Sequence, residues 1–320
     1  MKRFVIGAND CGQRLDKFLT KAVPLLPQSL LYKSIRQKRI KVNGKRAEIS
    51  RRLAEGDVVE LYLKDEFFAA DGEKDAFRSA RDSLEIVYED ENILLANKPA
   101  GLVVHTDNEG QVDTLINRIL KYLAQKGEYD PEKENSFTPS LCNRIDRNTS
   151  GLVLCAKNAP TLRVLNQKIR DREITKLYRC LVFGTPSPAH ALKKAFLRKD
   201  AGAAQVEVLD HPVPGGRTIL TEYQVLESRG GVSLLEVKLH TGRTHQIRAH
   251  MAHLGHPLVG DTKYGSAREN RRFPYRWQAL CAWRIVFDFP TPAEHLDYLR
   301  GRSFQLAALP FSLEELPEGQ

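Results

Sequence analysis

Asp146 stands between two cations in the run Leu141-Cys142-Asn143-Arg144-Ile145-Asp146-Arg147-Asn148-Thr149-Ser150-Gly151. Flanking guanidiniums favour the ionised carboxylate and are expected to lower its pKa. A carboxyl group kept as an anion is a poor general acid near neutrality and a dependable nucleophile. On residue types alone the same stretch also reads as a surface ion-pair turn. A second concentration of reactive side chains lies downstream, where five of the nine histidines (His240, His245, His250, His253 and His256) crowd together. Such density raises a metal site, and His250, His253 and His256 can share one helical edge. Arg243 and Arg248 sit among them, though, and would repel a cation. No His-Glu-x-x-His arrangement occurs, and the nearest following carboxylate is Asp261. The five cysteines are odd in number and far apart, with no C-x-x-C pair, against a disulfide framework or thiolate zinc site. Neither a Walker sequence nor G-x-G-x-x-G is present. The chemistry on offer is therefore expected to need no metal and no nucleotide cofactor.

The elements that must position these groups fall into two units. In the first 64 residues, Leu15, Phe18 and Leu19 mark one face of a short helix. After Pro27, a second helix turns Leu30, Leu31 and Ile35 inward and Lys33, Arg36, Lys38 and Arg39 outward. Ile40-Lys41-Val42 then alternates up to an Asn43-Gly44 hairpin turn, and a strand follows Gly56-Asp57. Residues 65–83 are charged, poor in aliphatics and read as a linker. From 84 onward, short strands outnumber helices. Segments 84–88 and 93–96 form a hairpin about an acidic turn, and 151–157 reads as a buried strand. Asn158 caps a helix with Pro160 in its first turn. Segments 174–183, 218–227, 232–240 and 278–287 read as strands, with 125–140 a surface loop. A helix can begin at Thr244, just after Arg243. The expected class is α+β: a small basic module and a domain built on a mainly antiparallel or mixed sheet with flanking helices, spanning 84–320.

Charge separates the two units. Residues 1–64 hold 15 Lys/Arg against 6 Asp/Glu, a net +9 that equals the net charge of the whole chain. A basic block of this kind invites a polyanion, RNA above all. The chain start lacks the long apolar stretch of a signal peptide, and no run approaches the length of a membrane span. With the cysteine usage, this gives a cytoplasmic protein, expected to be a monomer.

Two resemblances sharpen the reading. Arg14-Leu15-Asp16-Lys17-Phe18-Leu19, Ser29, Ile35-Arg36, Ile40-Lys41-Val42-Asn43-Gly44 and Gly56-Asp57 resemble the S4-type RNA-binding module. That implies phosphate contacts from Arg36, Lys38 and Arg39. The Asp146 segment resembles the His-Arg-Leu-Asp-x-x-Thr-Ser-Gly signature of the RluA-type pseudouridine synthase family, with Asn143 for the usual His and Ile145 for Leu. Asn97-Lys98-Pro99-Ala100-Gly101, Lys176-Leu177-Tyr178-Arg179, Thr241-Gly242-Arg243-Thr244-His245-Gln246-Ile247-Arg248 and Gly260-Asp261-Thr262-Lys263-Tyr264-Gly265 match further family motifs in family order.

The resemblance implies isomerisation of uridine to pseudouridine in RNA, with large-subunit (23S) ribosomal RNA favoured. A transfer-RNA uridine is one alternative, and a catalytically silent RNA-binding or ribosome-assembly protein is another. It implies Asp146 as nucleophile, attacking either the uracil ring or the ribose carbon. Tyr178 would stack on the target base, although its alternation with Cys180 and Val182 also suits plain core. Arg243 would pair with Asp146 and hold it, Arg144 would fill the space left by the extracted uridine, and Lys98 would contact substrate. If the nucleophile is unique, a change at Asp261 should leave more activity than the same change at Asp146.

Overall fold

The computed structural model describes residues 1–68, 73–106, 111–199 and 205–314. The N-terminal unit contains β1 (Lys2–Val5), α1 (Leu15–Ala22), α2 (Gln28–Arg36), β2 (Ile40–Val42), β3 (Lys45–Arg46) and β4 (Val58–Leu61). Its four strands form a sheet in the order β1-β4-β2-β3. Leu15, Phe18 and Leu19 of α1 and Leu31 and Ile35 of α2 close onto Ile40, Val42, Val59 and Leu61, all of them buried. The helical spacing of the apolar residues thus gives each short helix an inner face, and the strand alternation supplies the wall it packs on. At the hairpin tip both Asn43 and Gly44 have positive φ, the conformation a two-residue turn of this twist requires. Arg36, Lys38 and Arg39 remain exposed, as expected of a phosphate-facing surface.

The larger unit begins with β5 (Glu85–Glu89), β6 (Ile93–Lys98), α3 (Leu115–Gln125), β7 (Ser140–Leu141), β8 (Ser150–Ala156) and α4 (Ala159–Arg170). It continues with β9 (Ile174–Phe183), β10 (His190–Lys199), β11 (Val206–Leu209), β12 (Arg217–Arg229), β13 (Val232–Leu239) and α5 (Gln246–His253). The last elements are α6 (Ala267–Asn270), β14 (Leu280–Phe287) and β15 (Ser303–Gln305). The strands build one sheet in the order β11-β10-β12-β13-β9-β14-β8-β6-β5, with β15 on β14 and β7 on β8. Every pairing is antiparallel except β14 with β8, which makes the sheet mixed. One face packs on α3 and α5 through residues such as Leu94, Ile119, Val237 and Ile247. The other carries α4 and the C-terminal segment through Leu152, Leu165, Phe287 and Leu296. Asn158 caps α4 as its position implies, its side chain accepting the Thr161 amide at 2.9 Å.

Three stretches depart from the sequence expectation. Residues 69–72 of the linker lie outside the described residues, but Phe77 and Ala80 are buried and Phe77 joins the core beneath α3, so 73–83 belongs to the larger unit. The loop 125–140 is more than surface. Tyr129 and Phe137 are buried within it, and its tip docks the N-terminal unit. There Asp10 accepts hydrogen bonds from Asn135 Nδ2 (2.8 Å) and Ser136 Oγ (2.5 Å). Asn9 accepts the Ala159 amide at 3.0 Å and donates to Glu134 at 2.7 Å. Finally, β10 and β11 were not legible as strands, because His190–Lys199 spends charged residues on exposed positions.

The parallel contact of β14 with β8 pins the segment that follows Asp146. Ser150 and Gly151 lie opposite Cys281 and Ala282, and Gly151 has φ +113°. A methyl group there would overlap the Ala282 backbone. Gly151→Ala is therefore expected to cost at least about 3 kcal/mol, from backbone strain together with overpacking. A fall in the urea midpoint at unchanged slope checks this.

Candidate active site

Asp146 sits at the tip of the β7–β8 hairpin, in a loop whose other residues fasten it. Ile145 is buried in the core, and the Thr149 amide donates to Asp146 O at 3.1 Å. Gln278 Nε2 reaches Thr149 Oγ1 at 3.2 Å, and Asn143 Oδ1 accepts the Leu154 amide at 2.8 Å. Asn143, the departure from the family signature, is thus a backbone tie beside the site. It supplies an acceptor to β8, which an amide oxygen does without any ionisation.

Lys98 corrects an expectation. It is fully buried, and its Nζ donates to the carbonyls of Pro99 (2.9 Å), Leu102 (2.7 Å) and Arg147 (2.8 Å). It cannot reach substrate. Instead it ties the end of β6 to the loop one residue beyond Asp146. Burial pulls the Lys98 ammonium down to about 7, with the negative charge of Asp146 opposing that pull.

Around Asp146 a cleft of about 1060 Å³ opens, lined among others by Arg144, Lys176, Tyr178, Arg243, His245 and Arg248. Tyr178 is buried in its wall on β9. Burial, then the charge of Asp146, pushes its hydroxyl well above the usual tyrosine value, so it stays protonated. Lys176, two residues earlier on the same strand, also faces the cleft, and burial lowers its ammonium. Arg144 is exposed at the mouth.

The cation on Asp146 is Arg248, not Arg243. Arg248 Nη1 lies 3.4 Å from Asp146 Oδ2, while its Nε and Nη2 form a fork onto Asp261 at 2.7 and 2.9 Å. Arg243 is exposed on the rim, in a turn where its carbonyl accepts the Gln246 amide. The physical reason is local. His245 takes a left-handed conformation (φ 55°, ψ 18°), so the helix begins at Gln246 rather than Thr244. Its first turn then carries Arg248 inward, leaving Arg243 outside.

Asp261 is buried and accepts the amides of Lys263 (2.9 Å) and Tyr264 (3.2 Å) besides the guanidinium. Burial pushes its carboxyl up, but Arg248 and the two amides outweigh this and hold it below the usual carboxylate range. The other histidines have protein partners of their own: His240 on Glu222, His250 on Thr221, His253 on Asp210 and His256 on the Phe183 carbonyl. Among the described residues, no group of three or more His, Cys, Asp or Glu is arranged to hold a metal ion.

A mixed sheet thus carries a carboxylate on a β-hairpin loop, held by an arginine in a cleft that a buried tyrosine also lines. Comparison with known proteins gives the class. Residues 92–253 match the family model described as RNA pseudouridylate synthase, and residues 13–59 match the S4 domain. The chain is 32% identical to the ribosomal large subunit pseudouridine synthase D of Yersinia pestis, over 97% of this chain and 92% of that one. It is 34% identical to the ribosomal large subunit pseudouridine synthase C of Rickettsia bellii, over 86% of this chain and 89% of that one. Among solved structures, human RNA pseudouridylate synthase domain containing 4 shares the fold with a TM-score of 0.54 and 21% identity, covering 71% of this chain and 88% of that one. The chain belongs to the RNA pseudouridine synthase family, and its activity is that of an RNA-modifying isomerase. No helix is long and apolar enough to cross a membrane among the described residues.

The Arg248–Asp261 pair makes Asp261 costly to change. Asp261→Asn should destabilise by about 3–5 kcal/mol, because it leaves a buried guanidinium short of its counter-charge. The pH dependence has a definite sign. A carboxyl held low in the folded state contributes stability above its unfolded value of about 3.9. That contribution is lost as pH falls through the folded value, so acid unfolding of Asp261→Asn should be less steep than that of the parent in urea titrations run at descending pH.

Proposed function

We propose that the protein isomerises uridines of large-subunit ribosomal RNA, in the cytoplasm, with Asp146 as the nucleophile. The observation that carries the assignment of Asp146 is its placement: a partly exposed carboxylate in the cleft, oriented by a buried guanidinium and anchored on both sides by backbone ties. The target RNA is inferred from the names of the relatives, both ribosomal large subunit pseudouridine synthases. A basic S4 module fixed to the catalytic unit fits the same reading. No atom is gained or lost in the reaction. The N1–C1′ bond breaks, a C5–C1′ bond forms, the proton leaves C5, and one is taken up at N1.

Each side chain has a part in this scheme. The uridine is drawn out of its stack into the cleft, where the Tyr178 ring lies against it. Arg144, exposed at the mouth, occupies the vacated space. Asp146 forms and releases the covalent adduct. Arg243 on the rim and Arg36, Lys38 and Arg39 on the N-terminal module contact phosphates.

Asp146→Asn keeps the shape and removes the anion. Pseudouridine formation in single turnover should fall at least a thousandfold, about 4 kcal/mol in transition-state stabilisation, with RNA affinity nearly unchanged. Substantial turnover by a folded Asn variant would remove Asp146 from the mechanism.

The polar dock argues for testing the basic module by substitution rather than deletion. Arg36, Lys38 and Arg39 together replaced by Ala should make the salt dependence of binding shallower, by about 0.7–0.9 in log–log slope for each phosphate no longer neutralised. Turnover at saturating concentration should persist. An unchanged slope in filter binding across a salt series would exclude these side chains from the RNA interface.

A further inference from the structure

We propose that His245 is a positioning residue for Asp146, a neutral imidazole whose single proton is fixed on Nε2 and directed at the nucleophile. The inference rests on reading Asp146 as that nucleophile. Its basis is a chain of contacts that runs from the edge of the sheet to the carboxylate. The Val206 amide, at the start of β11, donates to Tyr264 Oη at 3.1 Å. Tyr264 Oη lies 2.9 Å from His245 Nδ1, and His245 Nε2 lies 3.8 Å from Asp146 Oδ2.

The direction of each hydrogen follows from what the groups can do. A backbone amide only donates, so Tyr264 Oη accepts from Val206 and has its own hydrogen to place. His245 Nδ1 is the acceptor within reach. If Nδ1 carried the proton in a neutral ring, the bare lone pair of Nε2 would face the Asp146 carboxylate, an arrangement of two acceptors. With the tautomer set by Tyr264, Nε2 presents an N–H instead. This is the way a partner on one ring nitrogen sets what the other nitrogen offers.

The surroundings of the imidazole favour its neutral form. Burial disfavours its charged form most strongly. Asp146 and Asp261 pull toward protonation, while Arg248 and Lys263 push against it, and the result lies below the ordinary histidine value. The backbone adds a second sign of a specific demand at this position. His245 is one of few non-glycine residues with positive φ, and it immediately precedes the helix whose first turn carries Arg248. Strain of this kind is kept where it places a side chain. Here it sets the imidazole edge-on to the Tyr264 ring, at 5.6 Å between centroids and 76° between planes.

The consequence concerns the geometry of attack. Arg248 and His245 both approach Oδ2 of Asp146, the first with a charge and the second with a neutral N–H. Together they fix the rotation of the carboxylate and leave Oδ1 as the oxygen that reacts. Arg248 alone would hold the charge but allow the group to turn. Because Tyr264 is itself oriented from β11, the seating of the β10–β11 arm is felt at the nucleophile.

The test uses the full chain and single-turnover pseudouridine formation on transcribed large-subunit ribosomal RNA, at saturating enzyme and across the acid side of neutrality. His245→Ala should lower the rate by about a hundredfold, the scale of a misplaced reactive group, with RNA affinity unchanged. His245→Gln, whose amide can place an N–H near the Nε2 position, should recover most of that loss. Both variants bear the same backbone strain, so their difference reads the side chain alone.

In the parent the rate should hold down to below the ordinary histidine value of about 6.5 and then fall as the ring takes a second proton. That acid limb should be absent from His245→Gln. In Tyr264→Phe it should move to higher pH, because the hydrogen bond that stabilised the neutral ring is gone. A parental rate in His245→Ala, a Gln variant no better than Ala, or an acid limb in Gln unmoved from its parental pH would each overturn the proposal. Asp146→Asn in the same assay separates the two levels. Turnover by that variant refutes the nucleophile, whereas a silent Asp146→Asn beside a fully active His245→Ala refutes only the role of His245.

Discussion

One guanidinium serving two carboxylates is the interaction on which the rest of the site depends. Arg248 is buried, and a buried cation needs a counter-charge of matching geometry. Asp261 supplies it through a two-pronged contact that commits Nε and Nη2, leaving Nη1 to reach Asp146. The stoichiometry explains the placement of both acids. The structural carboxylate is buried and saturated by the guanidinium and two amides, so it is inert. Asp146 touches the guanidinium through a single longer contact and remains partly exposed in the cleft. One guanidinium thus separates two chemically identical groups into a buried anchor and a carboxylate open to the cleft.

The remaining machinery brings that pair to the hairpin loop. Lys98 clamps three carbonyls at the base of the loop, Asn143 ties its entry to β8, and Gly151 lets its exit run against β14. Lys98 and Gly151 stand outside the cleft lining, and Asn143 lines it with its amide oxygen engaged by the Leu154 amide. They remove conformational freedom from a short segment that would otherwise sample many orientations of Asp146. The N-terminal module is handled with the same economy. It docks through Asn9 and Asp10 onto a loop tip and onto the start of α4, which gives its basic face a set distance from the cleft.

Much of this was legible in the residues. The helical and alternating periods of the first 64 residues, the Asn43-Gly44 turn and the Asn158 cap are local rules, and local rules survive folding. Asp146 and Tyr178 stood out because they lie in runs with a strong wording. What escaped reading depended on events that are not local. Arg243 was expected on Asp146 from the resemblance of its motif, and a single left-handed residue at His245 sets which side chain of that motif faces inward. Lys98 reads as a substrate contact until β6, the Gly101 turn and the Arg147 carbonyl are brought together around it. Asp261 gave no hint of burial, since its partner lies on another element. The charged strand β10 concealed its own pairing, because exposed lysines alternate poorly with the few apolar positions it buries.

The parallel contact between β8 and β14 has a consequence in time. The loop bearing Asp146 is made early, but the strand that pins its exit contributes Ala282, and the helix that orients it contributes Arg248. At the usual pace of translation, the interval between Asp146 and Ala282 is roughly 7–27 s. Until Arg248 is added, the carboxylate has neither its guanidinium nor its floor. A nascent chain therefore carries its complete basic module well before the Asp146 loop gains the guanidinium and the strand that hold it. The order is written into which strand pins the loop's exit.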